Sequence, residues 1–323
     1  MRRAVQFLVV LTVLALVLVM AGCGGSSGTD GAQMDTARKP EPPPPPPPVP
    51  DGTLVGHKQL NRTGWGVLTM ATDGTNETNV VPGVTPCWSP DGQTICFVQD
   101  SRVYTVPASG GTPEQFTTGA EPDLPAGDSD ISPEWSPDGQ EIAFLRQTGS
   151  YPAVYTICVK QFPDGPGRQL CQGDGLAGLS WSPDGAYVMF RDDGNLSVVP
   201  SAGGAVYRVS ETLPLGNDPA WFADVETGAN RVAYCTGAYA PGGGQVFTLQ
   251  VDAAGHAIGD PIAITSDRPG WPTHPTWSPD GTYIAYSDEW AGKKGEVFVT
   301  CIVEVATGTL TEVGDLGGVD WTP

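Results

Sequence analysis

The sequence predicts an all-β protein, a six-bladed β-propeller of four-stranded blades, closed by one C-terminal plus three N-terminal strands. Three observations carry that reading. Trp88-Ser89-Pro90-Asp91-Gly92 recurs as Trp135 to Gly139, Trp181 to Gly185 and Trp277 to Gly281, with a degenerate copy from Trp221 to Asp224 and a truncated one from Trp321 to Pro323. The tryptophans advance by 47, 46, 40, 56 and 44 residues, a period of propeller blades or helical arrays. Short β-branched and aromatic runs follow each copy, such as Ile142-Ala143-Phe144 and then Val154-Tyr155, and no useful helical period is present.

Residues 1–22 read as a lipoprotein signal peptide. Arg2 and Arg3 precede an apolar run from Phe7 to Met20, broken only by Thr12. That run is short for a membrane span, which needs about 17–25 residues. It ends in Met20-Ala21-Gly22-Cys23, which resembles the lipobox of bacterial lipoproteins and makes Cys23 the expected lipidation site. An uncleaved signal anchor is the alternative. Several acyl chains on Cys23 would hold the protein on a membrane. Residues 23–50 form the tether: a polar, flexible stretch, then nine prolines within 40–50, seven of them consecutive from Pro42 to Pro48. In polyproline II geometry this makes a stiff spacer of about 30 Å.

Residues 51–323 form the propeller. Each Ser-Pro-Asp-Gly suits a type I turn between the first and second strands of a blade. Five full units start at Trp88, Trp135, Trp181, Trp221 and Trp277, and the sixth has only a first strand around Val319 to Thr322. Thr53–Gly56, Gly66–Ala71 and Glu77–Val81 supply its missing strands, so the two ends of the ring close on each other.

Composition agrees once it is resolved along the chain. Gly (43) and Pro (32) approach the level of a low-complexity sequence, yet 39% of residues are hydrophobic and nine are Trp. The prolines divide between the spacer and the repeat: Pro86, Pro133, Pro219 and Pro275 each stand two residues before a Trp. Acids outnumber bases 36 to 16, a net charge of −20, and removing Arg2 and Arg3 with the signal peptide takes it to −22. That balance argues against nucleic-acid partners and against attraction to anionic lipid, both of which need clustered cations.

The Trp-Ser-Pro-Asp-Gly…Ile-Ala-Phe…Val-Tyr pattern across 51–323 resembles the TolB-like propeller repeat. The resemblance implies that the Trp and Ile/Phe positions pack between blades and that the turn carboxylate satisfies local backbone donors. Periplasmic TolB carries an N-terminal α/β domain where this chain has a tether, so TolB's own role is not carried over. The propeller of prolyl oligopeptidases is similar too, without the hydrolase domain that follows it there.

Inter-blade loops and second-to-third strand loops share one face and vary in length, which makes that face the expected functional surface. Its acidic, aromatic rim carries the candidate ligand-binding residues Asp128, Asp130, Asp218, His274, Trp65, Tyr151, Tyr239 and Trp290, with Glu121, Asp123, Asn217 and Trp271 in the same loops. Asp128 and Asp130 have a calcium-loop spacing but lack a full ligand set, so solvated loop carboxylates are preferred. Propeller lyases of oligouronides, similar at the repeat level, use channel histidines with a metal. Here only His57, His256 and His274 are present, the first two in expected outer strands or loops, so a multi-histidine metal site is not expected. No catalytic residue and no cofactor is assigned.

Six cysteines remain after Cys23. Cys87 with Cys96, and Cys158 with Cys171, each flank a hairpin turn symmetrically and are candidate disulfides, provided that no bulge shifts the register. Cys235 and Cys301 lie in different blades. The sequence thus reads as an exported, lipid-anchored monomer at the cell envelope, facing the periplasm or the exterior. It binds a protein or a polymer (polysaccharide or peptidoglycan-associated), and a carbohydrate-active lyase or hydrolase is the alternative.

Overall fold

The computed structural model describes residues 49, 51–62, 64–150, 152–210, 216–224, 227–237, 244–266, 270–289 and 298–322. Cys23, the signal peptide and the tether up to Pro48 lie outside the described residues, as do Tyr151, Tyr239 and Trp290. Among the described residues no helix is long and apolar enough to cross a membrane.

Six four-stranded antiparallel sheets make the ring. The first contains β1 (Thr53–Gln59), β2 (Trp65–Ala71) and β3 (Thr78–Pro82). The second holds β4 (Val84–Trp88), β5 (Thr94–Gln99), β6 (Arg102–Pro107) and β7 (Glu114–Gln115). Then come β8 (Ser129–Trp135), β9 (Glu141–Thr148), β10 (Val154–Gln161) and β11 (Gly167–Gly173). The fourth sheet is β12 (Leu176–Trp181), β13 (Tyr187–Asp192), β14 (Asn195–Pro200) and β15 (Tyr207–Arg208). The fifth is β16 (Gly216–Ala223), β17 (Asn230–Thr236), β18 (Val246–Val251) and β19 (Ala257–Ala263). The sixth is β20 (Trp271–Trp277), β21 (Tyr283–Glu289), β22 (Phe298–Glu304) and β23 (Leu310–Gly314). Last, β24 (Gly317–Trp321) returns to pair with β1 through Leu54↔Trp321 and Val55↔Asp320, giving the order β24-β1-β2-β3. The innermost strands touch in sequence around the ring, and β24 touches β4 to complete it.

The repeat motif builds a turn with its own polar ledger. In each full copy the Gly amide donates to the Ser carbonyl, as Gly92 does to Ser89 at 2.8 Å, and the Gly sits at φ near +67°. The Ser hydroxyl donates to the Asp carboxylate (Ser89 Oγ to Asp91 Oδ1, 2.6 Å) and accepts from the amide that starts the next strand (Thr94 N, 2.9 Å). The same bonds recur at Ser136, Ser182 and Ser278. These donors hold Asp91, Asp138 and Asp280 below the ordinary carboxylate range, against the opposing effect of burial that is largest at Asp280. The Trp of each motif is buried in a core shared by two blades. Trp135, for example, packs with Val103 and Phe116 of one blade and Ile142 and Phe144 of its own.

One of the two expected disulfides forms. Cys87 and Cys96 stand opposite each other with Cα atoms 5.4 Å apart and are bonded. Cys158 and Cys171 are free thiols, which corrects the symmetric-hairpin expectation. A bulge sets Ile157 opposite Cys171 and Cys158 opposite Gln169, so the two thiols join different cores. Burial pushes the Cys158 thiol up to about 12 and that of Cys171 to about 11. Cys235 and Cys301 are both buried in one inter-blade core.

Candidate functional site

Every innermost strand runs from an inter-blade loop down to the Trp and its turn. Three residues before each Trp, at the loop end, the backbone turns left-handed: Thr85 (φ 45°), Ser132 (50°), Gly178 (53°), Asp218 (45°), His274 (50°) and Gly318 (54°). A register shift accompanies each one, for instance between Val84 and Cys87 and between Thr273 and Thr276. These six bulges form a collar at one mouth of the central channel. Four of the six residues are not glycine, and left-handed backbone there costs of order 1–3 kcal/mol each.

The collar residues touch around much of the ring. A methyl on Gly178 would lie 2.7 Å from the Asp218 Cα, so only glycine lets that neighbour approach. The His274 amide donates to Asp218 Oδ2 at 3.4 Å, and His274 Nδ1 lies 3.8 Å from the same oxygen. A methyl on Gly318 would stand 2.9 Å from His57 Cε1. His57 Nδ1 in turn accepts the Thr85 amide at 3.4 Å. The expectation that His57 belongs to an outer strand or loop is therefore corrected: β1 lies beside β24 and carries it to the collar. Its ring is buried edge-on against Trp65 and Phe298. Burial first, and then the charge of His274, lower its pKa to about 4.

Below the collar lies a channel of about 420 Å³, lined in part by Glu134, Ser180, Thr276 and Asp320, each one residue before a Trp. Three of these four clasp the next blade. Ser180 Oγ accepts the Trp221 amide (2.9 Å), Thr276 Oγ1 the Trp321 amide (3.4 Å) and Asp320 Oδ2 the Trp88 amide (2.8 Å). Thr276 Oγ1 also donates to Asp320 Oδ1 at 2.9 Å. Burial raises the Asp320 pKa despite these donors. Glu134 is raised well above the ordinary range, by burial and then by the charge of Asp320. The channel therefore holds one carboxyl group, Glu134, whose charge is disfavoured by its surroundings and by Asp320. Thr85 Oγ1 is buried on the same lining without a hydrogen-bond partner among the described residues.

The acidic loop before Trp135 is built differently. Asp130 is fully buried and takes a bidentate contact from the equally buried Arg146: Nε to Oδ1 at 2.6 Å and Nη2 to Oδ2 at 2.9 Å. Glu121 Oε2 meets the same guanidinium at 2.7 Å, and Pro125 O accepts from its Nη1 at 3.0 Å. Asp128 Oδ2 accepts the Gly149 amide at 2.8 Å. Of the weak metal candidates, Asp130 thus has both oxygens, and Asp128 its Oδ2, engaged in fastening the loop. Among the described residues no three His, Cys, Asp or Glu side chains converge as a metal site.

Of the other candidates, Asp218 and His274 meet in the collar, Trp65 packs beside it against His57, Trp271 is exposed at the start of β20, and Asp123 is exposed. Sequence reasoning passed over Thr85, Ser132, Glu134 and Asp320. A signal for the collar existed: every residue three before a motif Trp is small or polar, and four precede the repeated Pro.

Solved structures share this architecture. TolB from Acinetobacter baumannii matches with a TM-score of 0.64 at 17% identity, over 84% of this chain and 67% of that one. Putative TolB from Agrobacterium tumefaciens matches with 0.58 at 16%, over 85% of this chain and all of the other. An oligogalacturonate lyase in complex with manganese matches with 0.52 at 13%, over 78% and 71%. At such identities the likeness is one of fold: the ring is a TolB-like six-bladed propeller. No protein-family model matches the sequence, and no curated protein matches it.

Proposed function

We propose that this chain is an exported, lipid-anchored binding propeller that holds a segment of an envelope protein or polymer at the collared mouth, without catalysing a reaction. The collar is the observation that carries this reading. The Trp recurs in all six blades and its Ser-Pro-Asp-Gly turn in four, whereas the collar position carries Thr, Ser, Gly, Asp, His and Gly in turn. Strained backbone kept at one opening by four non-glycine residues, each with a different side chain, is a feature of sites that recognise something. In ring order the hydroxyls of Thr85 and Ser132 face Asp218 and His274, with the two glycines between the pairs. An extended chain laid from Gly178 towards Gly318 would meet hydroxyls along one side and a carboxylate–imidazole pair along the other. The TolB neighbours favour a protein as the partner.

A second reading, a lyase or hydrolase acting on acidic oligosaccharides, draws on the likeness to the oligogalacturonate lyase and on the Glu134–Asp320 pair. Envelope crosslinking with the wild type and an Asp218→Ala/His274→Ala variant tests the first reading. Loss of the crosslinked species in the variant is expected, and identical species in both would refute it. Turnover of uronic-acid oligosaccharides by the mature protein, with or without divalent metal, would favour the second.

A further inference from the structure

His57 meets Thr85 where β1 of the first sheet lies against β4 of the second. A backbone amide can only donate, so the Nδ1 that takes the Thr85 N–H at 3.4 Å must present a lone pair. Only neutral imidazole does so, with its ring proton on Nε2. Imidazolium carries N–H on both nitrogens and would set a donor against a donor. Thr85 has little else to hold it. Its backbone is left-handed, its Oγ1 is buried without a hydrogen-bond partner among the described residues, and β4 loses register between Val84 and Cys87.

The His57 ring is hemmed in. It is 8% exposed, stands edge-on to Trp65 and Phe298, and rests on Gly318, where a methyl would be 3.0 Å from Nδ1. The charged groups around it are engaged elsewhere. On β1, Lys58 turns to Glu77 and Asp315, at 3.1 and 2.8 Å. On β24, Asp320 has its oxygens taken by the Trp88 and Trp321 amides and the Thr276 hydroxyl. On β20, His274 flanks the other side of Gly318 and is turned to Asp218 of β16. The groups that β2, β22 and β4 present to the ring, Trp65, Phe298 and Thr85, do not titrate.

We propose that His57 is an acid-sensitive latch on the collar: neutral, it holds Thr85 in the left-handed bulge, and protonated, it releases Thr85 and with it the ligand. Release of the ligand rests on the collar being the ligand's seat; the latch itself does not. A proton on His57 removes the acceptor and adds a charge beside His274, so the bond that offsets the strain at Thr85 is lost. The Cys87–Cys96 bond keeps the rest of β4 on β5, which makes the opening local. The ring's pKa, lowered to about 4 by burial and then by His274, keeps the latch shut at neutral pH.

Amide hydrogen exchange on the full chain tests the latch. In the wild type, protection of the Thr85 amide is expected to fall by about fivefold or more between pH 6.5 and 4, ahead of any loss at Val159 in the β10 core. Its midpoint should coincide with the titration of the His57 ring, read from the Cε1 proton. His57→Asn places an amide oxygen where Nδ1 stands and does not titrate, so Thr85 protection should there hold within about twofold. Thr85 protected until Val159 opens, a midpoint apart from that of His57, or an equal fall in both proteins overturns the latch. Photo-crosslinking from Ser132 in intact envelopes tests the release. An adduct at pH 6.5 is expected to weaken at pH 4 in the wild type and to persist in His57→Asn; equal adducts at both pH values in the wild type overturn the release. No adduct at either pH refutes the collar as the ligand's seat, and the release with it, while the exchange data decide the latch.

Discussion

The loop before Trp135 and the collar stand at the same end of the ring, and both are built on acidic side chains. They use them in opposite ways. In the loop, Asp130 and Glu121 close on Arg146 inside the protein, and exposed Asp128 closes on the Gly149 amide. In the collar and channel, Asp218 shares a half-open pairing with His274, while half-buried Glu134 is disfavoured as an ion, first by lost solvation and then by the charge of Asp320. A carboxylate that already has its partners fixes structure. One that folding leaves at an energetic disadvantage is free to be compensated by something that binds.

The largest effect that separates the two regions is at Arg146. Arg146→Ala strands two buried acids and is expected to cost about 3–5 kcal/mol in urea unfolding. If the loss is below 1 kcal/mol, the loop is not fastened as described. Next is His57. The unfolded state takes up a proton near pH 6.5, the folded state only near pH 4. Unfolding therefore binds a proton between these values, and stability falls as pH drops through that window, by on the order of 3 kcal/mol at its lower end. His57→Gln should remove that part of the pH dependence, which thermal melts at pH 7, 5.5 and 4 would read.

Gly318→Ala follows, at about 1–3 kcal/mol, because φ is +54° and the new methyl meets the His57 ring. It should also weaken ligand capture more than its stability loss explains. Glu134→Gln has the opposite sign. Its raised pKa means that ionisation opposes folding above the ordinary carboxyl range, so the amide should raise the melting temperature at pH 7 and lose that advantage in acid. Asp128→Asn, which keeps an acceptor for Gly149, should change stability by less than about 0.5 kcal/mol.

What the sequence made legible is local. A Ser-Pro-Asp-Gly turn reads from four residues, and the closure follows from counting strands between tryptophans. The misreadings came from partners distant along the chain. Asp130 looks like an open loop carboxylate until Arg146, sixteen residues on, is brought beside it by the β8–β9 pairing. Cys158 and Cys171 are symmetric about their turn, but the bulge opposite Cys158 separates them. The collar was hidden for the same reason. A left-handed bulge is set by strand register, and its residues, from Gly to His, share no side-chain signature beyond being small or polar.

Site-specific photo-crosslinking in intact envelopes tests the central claim, that the collar and not the acidic loop meets the ligand. A photoreactive residue is placed at Thr85, at Ser132 or at Asp123 in otherwise wild-type chains. A common adduct is expected from positions 85 and 132, lost in the Asp218→Ala/His274→Ala background, and none from 123. An adduct from position 123 with none from 85 or 132 would contradict it.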